Sequence, residues 1–321
     1  MIFLRHQGPS RLCGSRFGKL ITGSGEKFRA ARSYLLVENQ ERCDWLEAEK
    51  TNQMKTIKYH AVSLISGLLI LFLSGCTTAP VTGRSQLNLV SSDQESQLGL
   101  TEFDKMKQQT PIDTNPADNA LLQKVGKRIA VVASKDMPDA KWEFVMFQSR
   151  EANAFCLPGG KVGVYSGILP ITRDEAGLAT VLGHEVAHAA AHHGNERMSQ
   201  QMLMQSGGQI IGSQVSGASA LTQTGVTAAY GLGSQVGIAL PYNRKQESEA
   251  DHIGLVYMAR AGYDPQVALD FWQRFAQYSQ QQGGSGGPAF LRDHPVDSVR
   301  IQQIRQWIPE AEAQLGQSRT Q

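Results

Sequence analysis

Two histidines and a glutamate have the spacing of a metal centre. His184 and His188 are four residues apart, and Glu185 follows the first of them. Side chains at this spacing share one face of an α-helix, so each imidazole can give one nitrogen to the same ion. Glu185 is too close in sequence for a third ligand, but it is well placed to take a proton from a water that the metal activates. The pattern predicts a zinc site; a buried helix with two hydrogen-bonded histidines is the alternative.

A second acidic segment offers the missing third ligand. Catalytic zinc usually takes three protein ligands and leaves a fourth position to water. Glu247, Glu249 and Asp251 follow an uncharged stretch. Asp251 shares a helix face with Glu247 and could accept the second ring N–H of a ligand histidine, whereas Glu249 points away from that face. Spacing therefore favours Glu247 as the ligand, with a solvated acidic helix start as the alternative.

Two further histidines follow the first motif. His192 lies one turn after His188 and could in principle be a ligand too. Side chains on three consecutive turns of one straight helix, however, lie too far apart to bind a single ion together. We therefore expect His192 and His193 to be structural or to face solvent.

The elements that must position these residues are a helix and a small sheet. Thr172 with Glu175 three residues later forms a capping box, which predicts the start of the first metal-binding helix. Residues 142–147 and 161–165 have the composition of strands. Between them, the stretch that begins at Asn153 ends in a Pro-Gly-Gly turn at 158–160. These strands predict a small sheet beside the site. Its edge could bind an extended peptide as an added strand, although a sheet that only packs against helices fits equally well.

An uncharged segment separates the two ligand-bearing regions. Residues 198–243 contain no Asp, Glu, Lys, Arg or His. Gln, Ser, Thr and Gly are scattered throughout, so no run reaches the roughly 18 to 20 apolar residues of a spanning helix. The segment predicts either closely packed Gly- and Ala-rich helices or a mobile flap over the cleft.

The N-terminal region has the pattern of an export signal. Basic residues at 54–58 precede thirteen uncharged, mostly apolar residues at 61–73, too few to span a bilayer comfortably. The sequence Leu-Ser-Gly-Cys at 73–76 resembles the bacterial lipobox, which predicts lipidation of Cys76 and membrane anchoring without a transmembrane helix. Because export signals begin a chain, we expect translation to start at Met54 and residues 1–53 to be a misassigned or poorly ordered extension.

The positions of the export signal and of the metal-site motifs predict how the chain is divided into segments. A signal peptide at 54–75 leads to a lipid-anchored tether at 76–93, a metallopeptidase domain at 94–308 and a polar tail at 309–321. The composition, 41% hydrophobic and 19% charged, is ordinary for a folded protein. Since no basic stripe with interleaved aromatics occurs, we expect no nucleic-acid partner. The four cysteines show no paired spacing, so they predict neither a disulfide framework nor a thiolate zinc site.

Several linked motifs together resemble a known family, the HtpX- and CAAX-prenyl-protease-like gluzincin zinc endopeptidases. The resemblance runs from about residue 80 to residue 307. It is carried by the HEVAH motif at 184–188, the sequence ESEADHIG at 247–254, Asn153-Ala154-Phe155 with the turn at 158–160, and residues 293–295 with Arg300. Because we expect no transmembrane helices in the chain, it resembles the periplasmic lipoprotein branch of this family, which includes BepA and LoiP, more than the integral-membrane branch.

The resemblance implies a fold and roles for residues. The fold is a mainly helical α+β, zincin-like domain. Glu247 rather than Glu249 is the implied ligand, and Asn153, Ala154 and Phe155 lie at the implied substrate-binding edge. By itself, His294 before Pro295 indicates only a helix start. The resemblance places His294 near the metal, either at the oxyanion or at the open coordination position, with Arg300 close by.

These observations predict metal-assisted hydrolysis of peptide bonds with one Zn²⁺ per chain. His184, His188 and Glu247 hold the ion, Glu185 acts as general base and His294 can hydrogen-bond the oxyanion. The lipoprotein branch implies a periplasmic enzyme at the outer membrane of a Gram-negative bacterium. Its implied substrates are misfolded or unassembled outer-membrane proteins, and their assembly machinery is a further implied partner.

Two rivals belong to other classes. One is a lipid-anchored chaperone or assembly scaffold whose zinc site is structural or silenced. The other is a lipid-anchored metal-binding protein without a peptide substrate. The intact Glu185 weighs against the scaffold, because a purely structural site needs no base.

Overall fold

The chain divides into two units, residues 1–74 and 75–321. The computed structural model describes residues 49, 59, 76–281, 290 and 294–318. Apart from Glu49 and Tyr59, the predicted extension at 1–53 and the predicted signal peptide at 54–75 lie outside the described residues. Everything below concerns the second unit.

Helices dominate the second unit, and two small sheets accompany them. The described strands are β1 (Cys76–Thr78), β2 (Ser85–Leu87), β3 (Glu143–Phe147), β4 (Ala154–Leu157) and β5 (Lys161–Tyr165). The described helices are α1 (Ser92–Gln109), α2 (Pro116–Ala133), α3 (Leu169–Thr172), α4 (Glu175–Ala190), α5 (His193–Gln214), α6 (Ala220–Ser234), α7 (Leu240–Arg260), α8 (Gln266–Gln281) and α9 (Ser298–Ser318). The predicted mainly helical α+β fold is confirmed.

Helix α4 forms the centre of the core. Every residue from Gly177 to Ala190 is buried, because α2, α7, α8 and β4 all pack around the helix. Its closest approach to α7 is at Gly183 and Gly254, where a Cβ on Gly254 would lie 2.9 Å from the backbone nitrogen of His184. Glycine at both positions thus brings the two predicted ligand-bearing helices into direct backbone contact.

The start of α4 differs from the capping box predicted at Thr172. The N-cap is Asp174, whose side chain accepts a hydrogen bond of 2.8 Å from the backbone N–H of Gly177. Thr172 instead ends α3, where its hydroxyl donates to the carbonyl of Leu169. Arg173 has a positive φ of 70°, so the chain turns sharply here and Thr172 cannot cap the next helix.

The predicted sheet beside the metal-binding helix is confirmed. Its strand order is β3-β5-β4, with β3 parallel and β4 antiparallel to β5. Strand β4 lies at the edge and packs against α4. Within the part of the chain that the structure describes, the outer edge of β4 is therefore not paired with another strand and lies next to the helix that carries the HEVAH motif.

Both ends of the unit contain regular secondary structure. Residues 76–87, predicted as part of a tether, form an antiparallel β1–β2 hairpin, and Gln86 is only 2% exposed. Side-chain contacts to distant residues fix this hairpin, and no local sequence pattern signals them. At the other end, α9 continues beyond residue 308 to Ser318 and buries Ala311, so the described part of the predicted polar tail is helix.

The uncharged segment is helical but not closely packed. It forms most of α5, all of α6, a short π-helical turn (Gln235–Ala239) and the start of α7. No residue of α6 is buried. Among the described helices, none is both long and apolar enough to cross a membrane. The uncharged segment exposes several large apolar side chains, among them Met202, Leu203, Ile210, Leu221, Leu232, Val236, Ile238 and Leu240.

Candidate metal centre

Four side chains from three parts of the fold converge beside α4. His184 and His188 project from α4, Glu247 from α7, and His294 from the segment before α9. One potential ligand atom of each lies within 4.8 Å of those of the others. Nε2 of His188 is 3.1 Å from Nε2 of His184 and 3.4 Å from Oε1 of Glu247. The structure thus brings together the two histidines and the glutamate that the sequence predicts as ligands.

Two members of this cluster, His188 and Glu247, have pKa shifts that suit a cation. Burial holds the pKa of His188 well below its ordinary value, which favours the neutral imidazole that binds metal. Burial alone would raise the pKa of Glu247, but His188, His184 and His294 outweigh it and hold the pKa well below its usual range. Two imidazoles and a carboxylate are a common donor set of catalytic zinc. The donors therefore fit a divalent ion; the individual ligand roles stay predictions.

His184 is oriented by an acid and an arginine. Its Nδ1 lies 3.0 Å from Oδ1 of Asp251. Arg300 holds Asp251 with two hydrogen bonds of 2.7 and 2.8 Å and lies over the ring of Trp272. Burial would raise the pKa of Asp251, but Arg300 and His184 outweigh it and lower the pKa. The negative charge of an ionised Asp251 beside Nδ1 favours a proton on that nitrogen, which leaves Nε2 of His184 directed at the cluster. Asp251 and Arg300 thus lie where the sequence places them.

Glu185 and His294 lie on the same side of the cluster. Glu185 is 5% exposed, and its Oε1 is 3.4 Å from Nε2 of His294. Nδ1 of His294 is 2.9 Å from Oε2 of Glu247 and 3.2 Å from Nε2 of His184. His294 therefore reaches both the predicted general base and the predicted ligands. Its neighbour Asp293, part of the motif, lies outside the described residues.

Glu249, His192 and His193 lie outside the cluster. Glu249 accepts a hydrogen bond of 2.8 Å from Nε of Arg84, as expected of a side chain that points away from Glu247. His192 pairs at 2.8 Å with Glu95.

His193 is completely buried, and its Nδ1 is 2.8 Å from Nδ1 of His188. Sequence reasoning missed this contact because α4 ends at Ala190 and the left-handed backbone of His192, with φ of 50°, redirects the chain.

The predicted substrate-binding residues lie on or next to β4. Asn153 precedes the strand, Ala154 is buried in it, and Phe155 packs 6.2 Å from the ring centroids of both Phe103 and Phe147. The Phe155 side chain thus belongs to an aromatic cluster. The free backbone edge of β4 is the part that can pair with a peptide.

The thiol of Cys156 is not suited to nucleophilic catalysis. Cys156 is a free, buried cysteine on β4. Burial and the negative charge of Glu185 raise its pKa, so the thiol stays protonated. Among the described residues at the cleft, the metal centre is therefore the candidate for catalysis.

Known proteins with similar sequences are peptidases. Residues 116–308 match the sequence pattern of peptidase family M48. The mitochondrial metalloendopeptidase OMA1 of Schizosaccharomyces pombe is 32% identical over 85% of this chain and 79% of its own length. The OMA1 of Saccharomyces cerevisiae is 31% identical over 82% and 78%. The beta-barrel assembly-enhancing protease of Escherichia coli is 28% identical over 73% of this chain but only 48% of its own length.

Proposed function

Since this chain belongs to peptidase family M48 and is a metalloendopeptidase, we propose that it uses zinc to cleave misfolded or unassembled proteins of a bacterial envelope. The family predicted from the linked motifs is confirmed. The observation that carries the zinc chemistry is the convergence of His184, His188 and Glu247 on one point.

The residues of the site divide the work of hydrolysis. His184, His188 and Glu247 would hold the zinc ion, which would supply polarisation of the scissile carbonyl and a more acidic attacking water. Glu185 accepts the proton of that water and passes it to the leaving amine. Its burial keeps bulk water away from the carboxylate and strengthens its interactions with the reacting groups.

His294 has two possible roles in this scheme. Its contacts of 2.9 Å to Glu247 and 3.2 Å to His184 favour a resting state in which the ring of His294 lies against the predicted ligands, where a substrate would otherwise bind. Once the ring leaves Glu247, an N–H of His294 can hydrogen-bond the oxyanion that forms at the substrate carbonyl.

The envelope location and the substrate class have separate support. The lipobox-like sequence at 73–76 favours export and lipid anchoring. The beta-barrel assembly-enhancing proteases of Yersinia pestis and Escherichia coli, at 29% and 28% identity, favour outer-membrane proteins as substrates. The two yeast OMA1 relatives have higher identity and are mitochondrial, so sequence similarity alone does not select the bacterial envelope.

Cleavage of an unfolded substrate tests the mechanism. The full chain is incubated with an unfolded outer-membrane β-barrel protein, with and without a zinc chelator, and compared with Glu185→Gln. We expect the wild type to cleave and the chelator to stop cleavage. Glu185→Gln should be slower by about 10² to 10⁴-fold, the usual contribution of a general base, with zinc content unchanged.

Two results would count against the proposal. Equal rates for the wild type and Glu185→Gln would remove Glu185 from the reaction. A wild type that binds zinc but cleaves nothing would favour the scaffold.

A further inference from the structure

A buried polar network connects the β1–β2 hairpin to the metal centre. It starts at Arg84, next to β2, passes through Glu249 on α7 and His193 on α5, and ends at His188. His193 is 0% exposed and Glu249 is 6% exposed. None of the three residues that lead to His188 belongs to the converging cluster.

The contacts of His193 fix which nitrogen of His188 carries a proton. A carboxylate only accepts hydrogen bonds, so Nε2 of His193, 3.0 Å from Oε2 of Glu249, is the donor. Nδ1 of a neutral His193 is then an acceptor, and Nδ1 of His188 at 2.8 Å must donate to it. Nε2 of His188 is left unprotonated and directed at Glu247. This is the tautomer that a metal ligand needs.

Arg84 holds Glu249 in place for this role. Its Nε donates to Oε2 of Glu249 at 2.8 Å, and the hydroxyl of Thr82 donates to the other carboxylate oxygen. The far side of the same guanidinium makes two bonds of 2.7 and 2.8 Å to Glu196. A planar fork can serve two carboxylates in this way, whereas a lysine cannot.

Glu196 is itself fixed by residues of α7. Gln246 donates to its Oε2 at 2.7 Å, and the hydroxyl of Tyr242 donates to its Oε1 at 3.1 Å. The arginine is therefore clamped between two buried carboxylates, and the hairpin that carries it is attached to both α5 and α7.

We propose that Arg84 is a positioning residue of the metal centre, acting through Glu249 and His193 to hold His188 in its metal-binding tautomer. The inference rests on the proposed function, because it takes His188 as a ligand. Arg84 lies before residue 116, where the match to the peptidase family begins. Each predicted ligand histidine is then backed by an acid and an arginine: His184 directly by Asp251 and Arg300, and His188 through His193.

Metal affinity and the ligand-field spectrum test the network in the full chain. Zinc dissociation constants are measured by competition with a chromophoric chelator, and the visible absorption of Co²⁺ reports the geometry of the ligands. We expect Arg84→Met and His193→Phe each to weaken zinc binding by about 10 to 100-fold, the usual effect of removing a partner that orients a ligand. Both should shift the cobalt spectrum.

Two further variants separate positioning from simple stability. Arg84→Lys keeps the charge but loses the fork, so we expect an intermediate affinity. His192→Gln is the matched control, because His192 also pairs with a carboxylate, Glu95, but does not touch His188. It should leave the zinc affinity and the cobalt spectrum unchanged.

The outcomes distinguish this inference from the proposed function. A wild type that binds no zinc overturns the proposed function. A wild type that binds one zinc, with unchanged affinity and spectrum in Arg84→Lys and His193→Phe, overturns this inference alone. If Arg84→Met fails to fold, the affinities and spectra of Arg84→Lys and His193→Phe decide whether the inference holds. Equal weakening in His192→Gln would also overturn it, because the effect would then not depend on contact with His188.

Discussion

At the scale of single residues, one-turn helical spacing and long-range contacts build different parts of the metal centre. The spacing of four places His184 with His188 and Glu247 with Asp251, because helical geometry over one turn is nearly invariant. No such rule links His193 to His188, since the chain leaves the helix between them at His192. Arg84 meets Glu249 across 165 positions, and nothing local to either residue indicates the contact.

Substitution of the two glutamates on α7 tests the ligand assignment. Glu247→Ala removes a converging carboxylate, and we expect its zinc to be lost on dialysis against a chelator. Glu249→Ala should retain one zinc per chain, but bind it about 10 to 100-fold more weakly because only the support of His193 is lost. Metal content after dialysis is the measurement. Retention of the ion with wild-type affinity by both variants would move the third ligand elsewhere.

At the scale of elements, the sequence predicts what periodicity and composition encode. The observed β3 and β5 agree with the predicted strands at 142–147 and 161–165 to within one residue. The strands β1 and β2 have only three residues each, too few to show an alternating pattern. They are held by side chains distant in the sequence, so local composition indicates a tether here and not the hairpin.

The contact between α4 and α7 depends on glycine. A Cβ on Gly254 would lie 2.9 Å from the backbone nitrogen of His184, so Gly254→Ala must push the two helices apart. We expect a loss of about 1 to 3 kcal/mol in the free energy of unfolding, as for other overpacked cores, together with weaker zinc binding. Urea unfolding and zinc titration measure the two effects.

An exposed helical glycine provides the control. Gly225 on α6 has no atom within 4 Å of a Cβ placed on it. Gly225→Ala should stabilise the fold by about 0.5 to 1 kcal/mol, because alanine loses less backbone entropy in a helix. An equal gain in Gly254→Ala would show that the helices can separate without cost.

At the scale of the whole molecule, the motifs identify the family, but they do not indicate which members of that family are most similar to this chain. The motifs do not distinguish between relatives whose names point to different compartments. Comparison over most of the chain shows that the two yeast OMA1 proteins match at 32% and 31% identity, above the bacterial proteases at 29% and 28%. The uncharged segment also shows what composition cannot predict. Its composition is compatible with helices, but it does not indicate that α6 has no buried residue.

Substitution of Cys76 tests the proposed membrane attachment. The lipobox-like sequence at 73–76 is the reason to expect that attachment depends on lipid at this cysteine. A full-length Cys76→Ala variant should move from the membrane fraction to the soluble fraction, and mass spectrometry should lose the acylated N-terminal peptide. Cys156→Ala, which removes a buried free thiol, should stay at the membrane. An unchanged distribution of Cys76→Ala would contradict lipid anchoring.

The attachment of the β1–β2 hairpin to α7 also bears on when the enzyme becomes active. Arg84 must find Glu249 across 165 positions, and Arg300 must find Asp251 across 49. Closing long loops costs entropy before the contacts form, and non-local contacts slow folding. If both arginines support the predicted ligand histidines, a nascent chain that ends before Arg300 lacks part of the centre. We therefore expect such a chain to show little peptidase activity, which would spare neighbouring proteins during the enzyme's own biogenesis.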